Sequence, residues 1–116
     1  MGNMQDWNSY RNALLDGIGD FAKINKDAIR GYQTLEQSAG KTANLDPKTH
    51  ELIALAVAVT TRCDGCIAVH AKKAADLGVS REEIAEALGT AIALNAGAAL
   101  TYSARALDAF ESVPKN

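Results

Sequence analysis

"DPKTHELIALAVAVTT", residues 46–61, decides the fold, because its apolar run fits either a buried helix or a buried strand. Ile53, Val57 and Val59 are β-branched and favour a strand. The opening favours a helix: Asp46 can accept free amide N–H groups as an N-cap, and Pro47 suits the first helical position. No turn residue interrupts the run at the usual length of a strand, so the reading is a helix over 47–61. Leu52, Ile53, Leu55, Ala56, Val57 and Val59 cover most of its circumference, which makes it the central element.

Downstream the signals remain helical. A helix begins around Asp64 and ends before Gly78, whose missing Cβ suits a left-handed C-cap. Ser80 and Glu83 form a capping box that opens the next helix, with Ile84, Leu88, Ala91, Ile92 and Asn95 at helical spacing. "NAGAALTYSARALDAF", residues 95–110, continues it, with Gly97 as a bend or a close packing contact. Asn95, Trp7, Tyr32 and Tyr102 have no identifiable partner, and packing is their default role.

Upstream, "SAGKTANLDPKTHE" at 38–51 reads as a linker. Before it, residues 8–16 fit a short helix, and Phe21, Ile24, Ala28, Tyr32 and Leu35 recur helically beyond Gly17 and Gly19, with Asn25 as an internal cap or break. The two prolines, Pro47 and Pro114, leave the interior free for long helices. The expectation is an all-α single domain over 1–116, with five or six helices around a central antiparallel helical hairpin.

Composition bounds the function. The chain has 116 residues, 47% hydrophobic and 22% charged, as an ordinary globule does. About one residue in five is alanine while aromatics are only 5%, so the core must be aliphatic and the helices close together. A small core of thin side chains makes burial between subunits useful, and a homo-oligomer is expected. A net charge of −2 without a basic run argues against nucleic acid or an anionic membrane as partner. The N-terminus lacks a signal-peptide layout and "ELIALAVAVTT" is too short to span a bilayer, so the expected location is cytoplasmic.

The chemistry is concentrated in "TTRCDGCIAVHAKKAADLG", residues 60–78, which holds both cysteines and one of the two histidines. In mid-helix, Cβ atoms at i and i+3 lie about 5 to 6 Å apart, against roughly 3.5 to 4.5 Å in a disulfide. At the first turn the preceding backbone can bend in, and Gly65 lowers the steric cost, so Cys63 can reach Cys66. The helix N-terminus also favours thiolate. His70, four residues after Cys66, shares its face and can exchange the thiol proton. Glu51 lies about 15 Å before a reversal at 61–63 and His70 about 10 Å beyond it, so a hairpin brings the carboxylate near the imidazole. His50 should point about 100° away from Glu51 and is the poorer base. Reversible redox chemistry is one reading. Zinc held by Cys63, Cys66, His70 and a carboxylate is a second, although closed structural sites usually use more cysteine or another histidine. A helical interaction protein without catalysis is a third.

"ELIALAVAVTTRCDGCIAVHAKKAADLGVSREEIAEALGTAIAL" resembles the AhpD-like family of alkyl hydroperoxide reductase accessory proteins, within the carboxymuconolactone decarboxylase superfamily. The resemblance covers 45–107 and rests on the glutamate, the C-x-x-C and the following histidine together. It implies an all-helical fold assembled as a homotrimer or homohexamer. It also implies a peroxidase in which Cys66 is the peroxide-reactive thiol, Cys63 closes the disulfide, and Glu51 and His70 relay protons, with no metal or other cofactor. The implied partners are a hydroperoxide, a dithiol or lipoyl-type electron donor and a peroxiredoxin. One position departs from the pattern: where such members carry a second histidine just before the second cysteine, this chain has Gly65. The decarboxylase branch, similar in fold, lacks the cysteine pair, and no histidine and arginine cluster here suits an anionic lactone.

Overall fold

A computed structural model describes residues 4–115 of the chain. Five helices follow one another: α1 (Trp7–Ile24), α2 (Lys26–Ser38), α3 (Pro47–Thr61), α4 (Asp64–Asp76) and α5 (Arg81–Glu111). No strand occurs among the described residues. The run that fitted either a strand or a helix is a helix, and its cap forms as expected: the Asp46 carboxylate accepts from Thr49 N at 2.8 Å, with Pro47 in the first turn.

The helix ends follow local chemistry. Gly78, at φ +77°, closes α4 with Val79 N donating to Ala74 O and Gly78 N to Ala75 O, the double bond pattern of a Schellman stop. Ser80 and Glu83 form the capping box reciprocally, at 3.0 Å and 2.9 Å. Two expectations change. The helix expected over 8–16 runs on unbroken through Gly17 and Gly19 to Ile24, while the break falls at Asn25 as read, its side chain capping α2 through Ala28 N. α5 continues through Gly97 for 31 residues, and nothing in the same chain lies within 4 Å of a Cβ built there.

Packing centres on α3, which contacts α4 on one side and α5 on the other, while α1 lies on α4 and touches α2. A two-residue connection, Arg62 and Cys63, reverses the chain and makes α3 and α4 the central antiparallel hairpin. Asn95 does have partners: its amide donates to Thr60 Oγ1 at 2.9 Å and to Ala91 O at 2.7 Å, tying α5 to the end of α3.

The buried residues among those described are Leu55, Ala58, Ala68, Ala74 and Ala91, so the helices meet almost entirely through alanine. Alanine allows a close approach but removes little apolar area from water. Much of the large aliphatic surface stays outside: Ile92, Leu100, Leu107 and Phe110 recur on one stripe of α5 and are all exposed. The radius of gyration is 19.0 Å, against about 13 Å for a compact chain of this length. α5 is also long and apolar enough to cross a membrane by length and composition alone, which is weak evidence for a span.

Candidate active site

The site forms where the end of α3 meets the start of α4. Arg62 adopts the left-handed conformation, φ 55° and ψ 51°, and turns the chain sharply while Cys63 N donates to Ala58 O. Cys63 is extended and acts as the N-cap of α4: its sulfur accepts from Cys66 N at 3.1 Å. This places Cys63 and Cys66 within disulfide-bonding distance, with Cα atoms 5.2 Å apart. Both cysteines are half-buried at the positive end of the α4 dipole.

One turn deeper, His70 Nδ1 lies 2.7 Å from Glu51 Oε2. The two side chains are 23% and 14% exposed, so solvent screens their bond only weakly. With Nδ1 held by the carboxylate, Nε2 is the ring nitrogen left for proton exchange. The hairpin thus brings together all four residues that the sequence pointed to. Cys66 and His70 are i and i+4 on α4, and Glu51 comes from α3.

Beside this pair a cavity of about 630 Å³ opens between the end of α2, the 39–46 linker and the hairpin. Leu45, Pro47, Ala54 and His50 line it together with Glu51 and His70. His50 also borders the cavity, while the hydrogen bond to His70 belongs to Glu51. Across the mouth, Lys73 Nζ meets Glu36 Oε1 at 3.4 Å and links α4 to α2. Among the described residues no group of three or more His, Cys, Asp or Glu side chains is disposed to hold a metal ion.

Two residues of α1 also reach the site, and the sequence did not single them out. Arg11 Nε donates to Ala68 O at 2.8 Å, and Leu14 lies over Gly65. Gly65 itself lacks a positive φ, so its place between the cysteines does not come from a special backbone conformation. A Cβ there would sit 2.8 Å from Leu14 Cδ2, so a histidine at that position would require the Leu14 side chain to move.

The carboxymuconolactone decarboxylase family model matches residues 26–109. The chain belongs to that family. An uncharacterized protein of Haemophilus influenzae is 50% identical over 105 residues, covering 90% of this chain and 93% of its own. A protein of Paracoccus denitrificans, described as uncharacterized protein 4 in the cox locus, is 41% identical over 96 residues, covering 83% and 86%. The crystal structure of an apo carboxymuconolactone decarboxylase family protein from Legionella pneumophila superposes with a TM-score of 0.72 at 38% identity, covering 94% of this chain and 97% of that one. The family match includes the whole α3–α4 hairpin and all four residues of the site, and only α1 and the ends of the chain lie outside it.

Proposed function

We propose that this family member is a thiol–disulfide oxidoreductase of the AhpD-like, alkylhydroperoxidase type, working in the cytoplasm. The observation that carries the reading is the pairing of Cys63 with Cys66 at a helix N-terminus, one turn from a hydrogen-bonded His70–Glu51 pair. Such a site supplies a nucleophile, a resolving thiol and a proton carrier within two helical turns.

In the proposed cycle the Cys66 thiolate attacks the terminal oxygen of a hydroperoxide. The S–O bond forms as the O–O bond breaks, and the departing alkoxide takes a proton from His70 to leave as alcohol. Cys66 is now a sulfenic acid, oxidised by two electrons. The Cys63 thiol attacks its sulfur, the disulfide forms and water leaves. A dithiol donor, of lipoyl type, then opens the disulfide through a mixed disulfide and is itself oxidised, returning two thiols to the protein. Glu51 orients His70 and steadies the positive ring while it carries the proton. The cycle needs neither metal nor organic cofactor. The same thiols can reduce a partner protein's disulfide, with no peroxide involved.

The working form is a homotrimer or homohexamer. An alanine-lined interior, a radius of gyration of 19.0 Å and an apolar α5 stripe left in solvent support assembly, because a single copy buries too little to be compact. Sedimentation at micromolar protein should give three or six copies, and a stable monomer would refute the assembly.

A peroxide-consumption assay driven by a dithiol reductant tests the chemistry on wild type, Cys63→Ser, Cys66→Ser, Glu51→Gln and His70→Ala. Turnover should vanish in Cys66→Ser and fall in the others. A normal rate in Cys66→Ser overturns the assignment.

A further inference from the structure

We propose that Leu14 of α1 is a positioning residue for the cysteine pair: its side chain occupies the space over Gly65 and holds the first turn of α4 in the shape that brings Cys63 to Cys66. The inference rests on the thiol–disulfide reading above and deepens it, by naming what sets the balance between disulfide and dithiol.

The argument starts from Gly65, the second helical residue of α4. Glycine within a helix costs roughly 0.5 to 1 kcal/mol relative to alanine, so its presence needs a reason. Backbone conformation is not that reason, since among the described glycines only Gly78 has a positive φ. Space is what distinguishes this glycine: a Cβ at 65 would approach Leu14 Cδ2 to 2.8 Å, against about 3.5 to 4.0 Å for two carbon atoms in contact, so the Leu14 side chain would have to move aside. Gly17, Gly19, Gly31, Gly89 and Gly97, which also lie in helices, have nothing within 4 Å of such a Cβ. Leu14 is therefore aimed at the one glycine that separates the two cysteines.

Arg11 fixes that aim. Its 2.8 Å bond to Ala68 O lies one turn before Leu14 on α1 and one turn after Gly65 on α4, so the two helices run antiparallel and are fastened at two points. Ala68 is fully buried, which leaves the α4 end of this clamp little freedom.

The clamp acts on the redox balance through the separation of the two sulfurs, short in the disulfide and longer in the dithiol. In the disulfide, Cys63 folds back over the start of α4, with its sulfur also accepting from Cys66 N. In the dithiol the two sulfurs lie beyond bonding distance, so a turn that holds Cys63 against Cys66 favours the disulfide. Leu14 lies over the middle of that segment and favours the close approach of the two sulfurs. Removing the Leu14 side chain relaxes the preference and favours the dithiol.

The test is equilibration of the purified full chain with glutathione buffers. One glutathione disulfide oxidises the two protein thiols to the disulfide and becomes two glutathiones, and mass spectrometry of acid-quenched, alkylated samples gives the fractions. Leu14→Ala should lower the equilibrium constant for oxidation severalfold, a tenfold change being about 30 mV. Gly65→Ala, which keeps every native side chain and adds one methyl, should shift it as well. In Leu14→Ala/Gly65→Ala the methyl enters vacated space, so the constant should return toward wild type. A merely structural Leu14 would lower the melting temperatures of the oxidised and reduced forms equally and leave the constant unchanged. Equal constants in all four proteins, or additive shifts in the double variant, overturn the Leu14 proposal while leaving the oxidoreductase reading intact. A wild-type pair that does not exchange with glutathione at all overturns both.

Discussion

Replacing Glu51 by glutamine tests the inner half of the site with the least structural damage. The amide keeps nearly the same shape and can still accept from His70 Nδ1, so the 2.7 Å bond survives while its charge is lost. A hydrogen bond to a charged group contributes about 1.5 to 3 kcal/mol and a neutral one about 0.5 to 1.5, a loss of roughly 1 to 1.5 kcal/mol. The bond lies among side chains only 14% and 23% exposed, so that difference is not screened away. If the pair steadies the protonated ring during proton transfer, the rate of thiol oxidation should fall by about 5- to 13-fold, at 1.36 kcal/mol per tenfold. Glu51→Ala leaves His70 Nδ1 without its partner and should cost more. His70→Ala removes the proton carrier and should cost about 100-fold or more. The assay is a single-turnover stopped-flow measurement of pre-reduced protein mixed with excess hydroperoxide, which removes the electron donor from the comparison. A wild-type rate in Glu51→Gln together with a wild-type rate in His70→Ala would refute the relay, even if Cys66→Ser were inactive.

The other predictions concern the turn and the caps. With Cys63→Ser, peroxide should leave a sulfenic acid on Cys66 that dimedone traps, whereas Cys66→Ser should give no adduct; an adduct in Cys66→Ser and none in Cys63→Ser would reverse the assigned roles. Arg62 holds φ 55° without being glycine, so Arg62→Gly should be neutral or stabilise the fold by up to about 1 kcal/mol, and Arg62→Val should destabilise it, as thermal unfolding will show. Ser80→Ala removes the capping box and should lower stability by about 1 kcal/mol, or about 4 to 8 °C in melting temperature. Backbone and side-chain hydrogen bonds from Thr49 hold the Asp46 carboxyl below its ordinary 3.8, and those from Ser80 hold Glu83 below 4.5. Such depressed carboxyls stabilise the fold fully above these ordinary values, and the contribution is lost as pH falls through the lower folded values. Stability should therefore decline below about pH 4.5, and Asp46→Asn, which retains a capping oxygen, should weaken that decline.

What was legible in the sequence was what local chemistry determines. Asp46–Pro47, Ser80 with Glu83, and Gly78 are end signals that act within four residues, and each forms as read. The C-x-x-C turn is equally local. Glu51 and His70 could be matched because a two-residue reversal leaves a hairpin little choice of register. The readings that changed depended on what lay across space. The helix expected to stop before Gly17 and Gly19 runs on to Asn25, the cap already legible in the sequence, because nothing at the glycines offers a stop to compete with it. Gly97 looked like a contact, yet no side chain of the same chain approaches it.

Gly65 shows why the last step could not be read from one segment. Within "CDGC" a glycine lowers the steric cost of bringing Cys63 to Cys66, a purely local reason. In the fold its backbone is free of any positive φ, and the constraint comes from Leu14, far earlier in the chain. A short motif can therefore specify which atoms react, while the surface that holds those atoms comes from a helix outside the family-matched region. If that holds, relatives sharing the same two cysteines need not share their redox balance, because the residue at position 65 and the α1 side chain facing it must change together. The Leu14 and Gly65 double variant separates these contributions directly: coupled shifts place control in the α1 contact, and independent shifts place it in the motif.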